Sequence, residues 1–310
     1  MNDESKEQLA EYHNPATGYK WRMVEARGEK WTVPRRIKVI ESPGVYLVGF
    51  TTLHEQNVNS FLRDHQINTF SPWGECGRNE RGSDSELLVE LAGRLCYMSY
   101  DRPRPGGLSA FLNRLKSEGH GSVLEHPHYS FILTGVSRNM TLEANRHRPF
   151  SISQLSGRFV DAGEVGFVRD PDIPEIELVE WAGRCVTAFD AYESAYNRSY
   201  TAREGKWKTA NPDGTFTKEE ERKVIKKARE RARDILPGCL ETRILYTVNT
   251  RAIRFVFEKR CHADAAFEIR RCFNRVYRAL QQHDPKLFED YTETPLEDGT
   301  FAVTSDYPKV

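Results

Sequence analysis

Residues Glu143 to Phe159, E-A-N-R-H-R-P-F-S-I-S-Q-L-S-G-R-F, set two arginines and a histidine side by side inside an otherwise apolar passage. Arg146, His147 and Arg148 stand just after a helix-like run, and Ser156-Gly157-Arg158 follows across a spacer of seven residues. Unpaired charge is costly to bury, so the chain must bring this stretch to an edge, facing solvent or a ligand. The plain reading is a solvated helix surface. The chemical reading is that Ser-Gly-Arg, after Pro149, forms a loop offering a hydroxyl, backbone N–H groups and a guanidinium to an anion. Arginine suits that role because its planar fork can bind phosphate at two points.

Composition narrows the classes. A chain of 310 residues suffices for one large domain with a sizeable core, or for two small ones. Lys plus Arg equals Asp plus Glu at 45 each, so no net charge draws the protein to nucleic acid or to an anionic membrane. No run approaches the roughly 18 apolar residues of a membrane-spanning helix, and M-N-D-E-S-K-E-Q lacks the apolar core of a signal peptide. Six cysteines (76, 96, 185, 239, 261 and 272) show no C-x-x-C spacing, so neither a zinc site nor a disulfide frame is expected. The expected compartment is a reducing cytoplasm.

Along the chain, residues 1–35 read as a polar N-terminal extension, and 36–310 as a single catalytic domain. I-K-V-I and V-Y-L-V-G-F-T-T-L, divided by Ser42-Pro43-Gly44, carry a hairpin signal. Residues 66–84 read as a Gly/Pro loop. Ser85–Leu95 reads as a helix leading to Cys96, which is expected to be a buried packing thiol because no basic partner lies near it in sequence. Leu108–Glu118 reads as a second helix, ended by Gly119. In G-H-G-S-V-L-E-H-P-H, His120, His126 and His128 raise a metal site, but no carboxylate or thiol completes a known spacing. None is expected. Tyr129–Thr134 alternates as a strand, Ser137 opens a helix, and Val165–Val168 reads as a short strand. Leu178, Ala182, Cys185, Phe189, Tyr192 and Tyr196 recur at three and four, giving the apolar face of a long helix. Residues 203–217 read as a loop, after which Thr217 and Glu220 form a capping box. Lys218–Asp234 carries eight basic and five acidic residues, a mixture that favours a solvated face over a nucleic-acid helix.

Several segments in order resemble one family. They are A-x-R-x-C-Y-x-S at 92–99, G-H-G-S-V-L-E-H at 119–126, R-H-R with its serine at 146–156, and the block from Leu236 to Arg251. F-E-K-R at 257–260 and A-F-E-I-R at 266–270 complete the series. Together they resemble the flavin-dependent thymidylate synthases over roughly residues 85–291. That resemblance implies an α+β fold, a central mostly antiparallel sheet flanked by helices, assembled as a homotetramer with active sites shared between subunits. It implies FAD, NADPH and 5,10-methylenetetrahydrofolate, acting on a uracil nucleotide. It places His120, Ser122, Glu125, Arg146, His147, Arg148 and Arg260 at the flavin. Glu143, Arg146, Gln154, Ser156, Gly157, Arg158 and Arg243 fall at the nucleotide, with Arg243 on its phosphate. Arg270 falls on the catalytic arginine beside the uracil ring, where a cation favours the N3-deprotonated form.

The implied chemistry needs a bound reductant, because no side chain supplies hydride. It needs no cysteine nucleophile, and none is evident. The chain departs from the family pattern at several positions. Glu143 stands where Gln is usual, and Ser153-Gln154 where Asn-Glu is usual. Glu258 and Asp264-Ala265-Ala266 replace Asn and His-Ala-Gln, adding negative charge near a flavin that must carry it. A carboxylate accepts from two hydroxyls at once, so Glu143 suits a ribose diol and points to UMP beside dUMP, as in UMP methylases of nucleoside-antibiotic pathways. The alternatives are a housekeeping dUMP enzyme, a same-fold flavoprotein that hydroxymethylates a pyrimidine nucleotide, and a nucleic-acid-binding module.

Overall fold

The computed structural model describes residues 10–28, 34–67, 81–100, 102 and 105–310. Cys76, most of the expected loop at 66–84, and parts of the N-terminal stretch lie outside them. Among the described residues the strands are β1 (Glu11–His13), β2 (Lys20–Ala26), β3 (Arg35–Ser42), β4 (Gly44–Phe50), β5 (His128–Ser137), β6 (Ser151–Gln154), β7 (Phe167–Val168), β8 (Glu241–Asn249), β9 (Tyr291–Pro295) and β10 (Phe301–Ser305). The helices are α1 (Glu55–Asp64), α2 (Asp84–Tyr97), α3 (Gly107–Ser117), α4 (Arg138–Ala144), α5 (Leu178–Ala210), α6 (Lys218–Ala232), α7 (Thr250–Arg260), α8 (Phe267–His283) and α9 (Pro285–Phe288). The class is α+β. Strand orders are β1-β2-β3-β7, β4-β5-β8-β6 and β10-β9.

The chain forms two compact units. The first comprises Met1–Gly44, Leu133–Leu142 and Ser153–Ile244. Here β2 pairs antiparallel with β3, Val24 opposite Ile37, while β7 joins β3 in parallel through Val39 and Phe167. The face made by Val24, Ala26, Ile37 and Val39 is covered by the α5 stripe Leu178, Ala182, Cys185, Val186 and Tyr192, with Phe189 and Tyr196 packed at its margin. That stripe is the one read from sequence. Beneath it, the buried Glu241 carboxylate accepts from Gly135 N at 3.2 Å, Gly166 N at 2.9 Å and the Tyr19 hydroxyl at 3.0 Å. Gly135 is required there: its φ is +63°, and a Cβ would lie 2.7 Å from the Tyr19 ring.

The second unit comprises Val45–Ile132, Glu143–Ile152 and Leu245–Val310. Its core is aromatic. Phe257 meets Tyr277 at 5.4 Å, Phe288 at 5.9 Å and Tyr291 at 6.2 Å. Burying each such ring contributes about 1.5–3 kcal/mol. The α8 helix turns Ile269, Cys272, Phe273, Val276, Tyr277 and Leu280 inward at helical spacing. Arg254 and Lys116 share the buried Asp290: Arg254 Nη1 and Nη2 donate at 2.9 and 2.7 Å, and Lys116 Nζ at 2.5 Å.

Local expectations fared unevenly. The expected capping box at Thr217/Glu220 is formed, a second one at Ser83/Glu86, not read from the sequence, opens α2, and Gly119 has φ +76° just past α3. The expected hairpin at 36–53 does not form. Its two runs are the strands β3 and β4, but they enter different sheets, with Pro43 between them. The expected loop at 203–217 is helical through Ala210, because Trp207 reaches Glu220 and packs edge-on against Phe216, extending α5. Cys96 is exposed, not buried. The α2 helix turns Glu86, Leu87, Glu90, Gly93 and Arg94 inward, leaving the Cys96 position on the outer side. The polar N-terminal stretch supplies β1 and β2, and no described helix is long and apolar enough to cross a membrane.

Candidate active site

In the second unit an open cavity of about 470 Å³ is lined by Glu125, Arg146, His147, Arg148, Phe150, Asn249, Arg251, Phe255 and Lys309, among others. The R-H-R segment is the turn between α4 and β6: Arg146 N and His147 N donate back to Glu143 O and Ala144 O, at 3.2 and 3.1 Å. That turn leaves Arg146 and Arg148 exposed and His147 half-buried.

Arg260, at the end of α7, fixes the turn. Its Nε donates to His147 Nε2 at 2.9 Å, Nη1 to Glu143 Oε2 at 3.1 Å and Nη2 to the Glu143 carbonyl at 3.1 Å. Burial, and then the Arg260 charge, hold His147 down at a pKa of about 4. It is therefore neutral at pH 7, with Nε2 accepting. The imidazole stands edge-on to Phe255 at 6.1 Å and beside Phe150 at 6.0 Å. Phe150 in turn packs on Tyr246 at 5.1 Å, whose hydroxyl donates to Asn145 at 2.7 Å. The result is an aromatic wall among cations.

Arg251, in the first turn of α7 capped by Asn249, also lines the cavity. Arg251 donates to Glu125 Oε1 at 2.6 Å, reaching it past Gly121, where a Cβ would lie 2.7 Å from Nε. Glu125 belongs to the 3-10 turn Gly121–Glu125. His120, just before it, faces Glu118 at 3.2 Å and Tyr97 at 5.9 Å, and Ser122 is exposed; neither lines the cavity.

Arg270 is also outside the lining. It is 5% exposed and committed to Thr300 Oγ1 at 2.7 Å, the Ala263 and Ala265 carbonyls at 2.6 and 2.5 Å, and Asp298. Thr300 and Asp298 lie between β9 and β10, so this guanidinium fastens that hairpin to α8. Asp264 is 93% exposed on its side chain.

The remaining predicted residues lie in the first unit. Leu155 N donates to Arg243 O at 2.9 Å, so the Gln154–Arg158 segment runs beside the β8 strand that carries Arg243. Gln154 donates to Thr141 and Thr242 at 3.1 and 3.3 Å. Ser156 O accepts from Phe159 N and Val160 N, and its hydroxyl oxygen from Arg158 N at 3.4 Å. A Cβ at Gly157 would stand 3.6 Å from Arg138 Nη1. Arg158 lies 3.6 Å from Glu230.

Sequence reasoning assigned no role to Arg251, Phe255 or Lys309. Arg251 and Phe255 are four apart on α7, a spacing that puts both on one face; nothing local marked Lys309. Among the described residues no three His, Cys, Asp or Glu side chains gather in a group able to hold a metal ion.

Comparison with known proteins identifies the family. The family model "Thymidylate synthase complementing protein" matches residues 80–286. A flavin-dependent thymidylate synthase of Corynebacterium diphtheriae is 36% identical over 233 residues, 73% of this chain and 86% of that one. Another, from Mycolicibacterium vanbaalenii, is 39% identical over 221 residues, 70% and 84% respectively. The chain belongs to the flavin-dependent thymidylate synthase family. Its fold is also similar to that of the UMP/dUMP methylase PolB from Streptomyces cacaoi bound with 5-Br dUMP, at TM-score 0.54, 18% identity, and 81% and 95% coverage.

Proposed function

We propose that this enzyme transfers a one-carbon group to C5 of a uracil nucleoside monophosphate, with 5,10-methylenetetrahydrofolate as carbon donor, FAD as redox cofactor and NADPH as reductant. The observation that carries the reading is the cavity itself, where Phe150, Phe255 and neutral His147 stand among Arg146, Arg148 and Arg251. An aromatic wall bordered by guanidinium groups fits a phosphate-bearing heterocycle such as FAD. When bound, FAD supplies the hydride that no side chain can give.

The chain's own residues bind and orient. Arg146 and Arg148 offer exposed guanidinium groups, and Arg260 holds the turn that presents them. His147, kept neutral, adds no charge of its own against the ring it faces. Arg243, Ser156, Gly157 and Arg158 then take the nucleotide phosphate, and Gln154 the sugar and base. Arg270 is given the uracil ring, which requires it to exchange its Asp298 partner for a ring oxygen. His120, Ser122 and Glu125 are assigned to the flavin side. Holding reactants in position contributes on the order of several kcal/mol to such a reaction. We further assign the active form to a cytoplasmic homotetramer; exposed Leu95, Tyr97 and Met98 at the end of α2 are available for self-association.

Glu143 supports UMP as a substrate beside dUMP. Arg260 binds its Oε2, while Oε1 has no hydrogen-bond partner among the described residues and can accept a ribose hydroxyl. The test is turnover of UMP and dUMP at equal concentration with FAD, NADPH and methylenetetrahydrofolate, read by product mass. A methyl gain with UMP at least as fast supports both parts, and a clear dUMP preference removes the ribose reading. A hydroxymethyl product corrects the chemistry, and no gain on either nucleotide refutes the proposal.

A further inference from the structure

Lys309 and Val310 line the same cavity as the R-H-R turn, although they lie beyond the 80–286 span matched by the family model. The tail is held there by two features. The Lys309 N–H donates to Glu258 Oε1 at 3.0 Å, and Lys309 has φ +66°, a left-handed backbone unusual for a residue with a side chain. The Lys309 side chain is exposed and has no carboxylate partner among the described residues. Arg146 and Arg148 likewise have none, whereas Arg251 is paired with Glu125.

We infer that Glu258 and Lys309 form a C-terminal clasp, in which the Glu258 carboxylate pins the Lys309 backbone so that its ammonium joins Arg146 and Arg148 in binding a phosphate group of the cavity's occupant. This rests on the cavity being the ligand site proposed above. The Glu258 carboxylate thus holds the Lys309 N–H while the Lys309 ammonium brings a positive charge to the rim. The phosphate is the FAD pyrophosphate, since the cavity is read above as the flavin site and the nucleotide monophosphate is given to Arg243, Ser156, Gly157 and Arg158.

The experiment uses the full-length protein and compares wild type with Lys309→Gln and Glu258→Gln. FAD affinity is measured by flavin fluorescence, UMP and dUMP affinity by calorimetry, each at several salt concentrations, with thermal melting as a control. Lys309→Gln is expected to weaken FAD about tenfold and to flatten its salt dependence, because one charged contact is lost. Glu258→Gln is expected to weaken the same ligand less, with both melting points near wild type. Selective loss for FAD supports the clasp at the pyrophosphate, and selective loss for the nucleotides overturns that assignment. Wild-type binding with unchanged affinity and salt slope in Lys309→Gln overturns the clasp alone. A wild-type protein that binds neither FAD nor nucleotide overturns the proposed function itself.

Discussion

Replacing Arg260 by Gln separates the two influences on His147. Burial is the larger cause of its low pKa and the Arg260 charge the smaller. The displacement from 6.5 to about 4 corresponds to about 3.5 kcal/mol at roughly 1.4 kcal/mol per unit. Because the ring is only half-buried, solvent screening reduces its stability equivalent to about 1–2 kcal/mol. In Arg260→Gln the burial remains, so less than half of the displacement should be recovered, leaving the pKa between about 4 and about 5. The assay is a pH titration of the His147 ring proton by NMR. A midpoint back at 6.5 would show that charge, not burial, governs the site, and no movement would show that Arg260 does not touch His147 in solution. The stability consequence has a definite sign. Between pH 6.5 and about 4 the unfolded chain binds a proton at this residue that the folded chain does not. Acidification through that window therefore destabilises the wild type, and does so less in the variant.

Gly121→Ala should displace the flexible Arg251 guanidinium from Glu125, weakening FAD binding several-fold in a fluorescence titration while moving the melting point little. Arg254→Met removes one partner of a buried pair and should cost about 3–5 kcal/mol in denaturant unfolding; a loss under about 1 kcal/mol would contradict the pairing. Asp290 would be pushed up by its burial, but Arg254 and Lys116 outweigh that and bring it down to about 2. Its stabilisation is present above the ordinary value of 3.8, and about 2 kcal/mol should be lost as pH falls toward 2, measurable by urea unfolding across that range.

How much of this was legible depends on the range over which each residue acts. The Thr217/Glu220 capping box and the α5 stripe are local patterns, and both were readable. The R-H-R turn and Arg260 were found because the motifs carry them in order, but their mutual contact joins residues more than a hundred apart. Strand pairing was the weak point. The β3 and β4 runs look like hairpin arms, and only the sheets they enter reveal otherwise, since local alternation does not specify a partner. The Cys96 expectation used the absence of a basic neighbour, which says nothing about the face of α2 on which the thiol falls. Lys309 was invisible for a related reason: its site is defined by a single backbone bond to Glu258.

The last strand has a further consequence. A two-stranded hairpin such as β9–β10 leaves backbone groups on its outer edge free to pair with another chain. Here the Asn274 side chain does what a neighbouring strand would, donating to Phe301 O at 2.8 Å and accepting from Phe301 N at 3.0 Å. The Cys261 carbonyl takes Val303 N at 3.0 Å. The edge is thus closed by an amide on α8 and one carbonyl rather than by more sheet, which guards the protein against edge-to-edge aggregation. One side chain, Asn274, carries much of that protection.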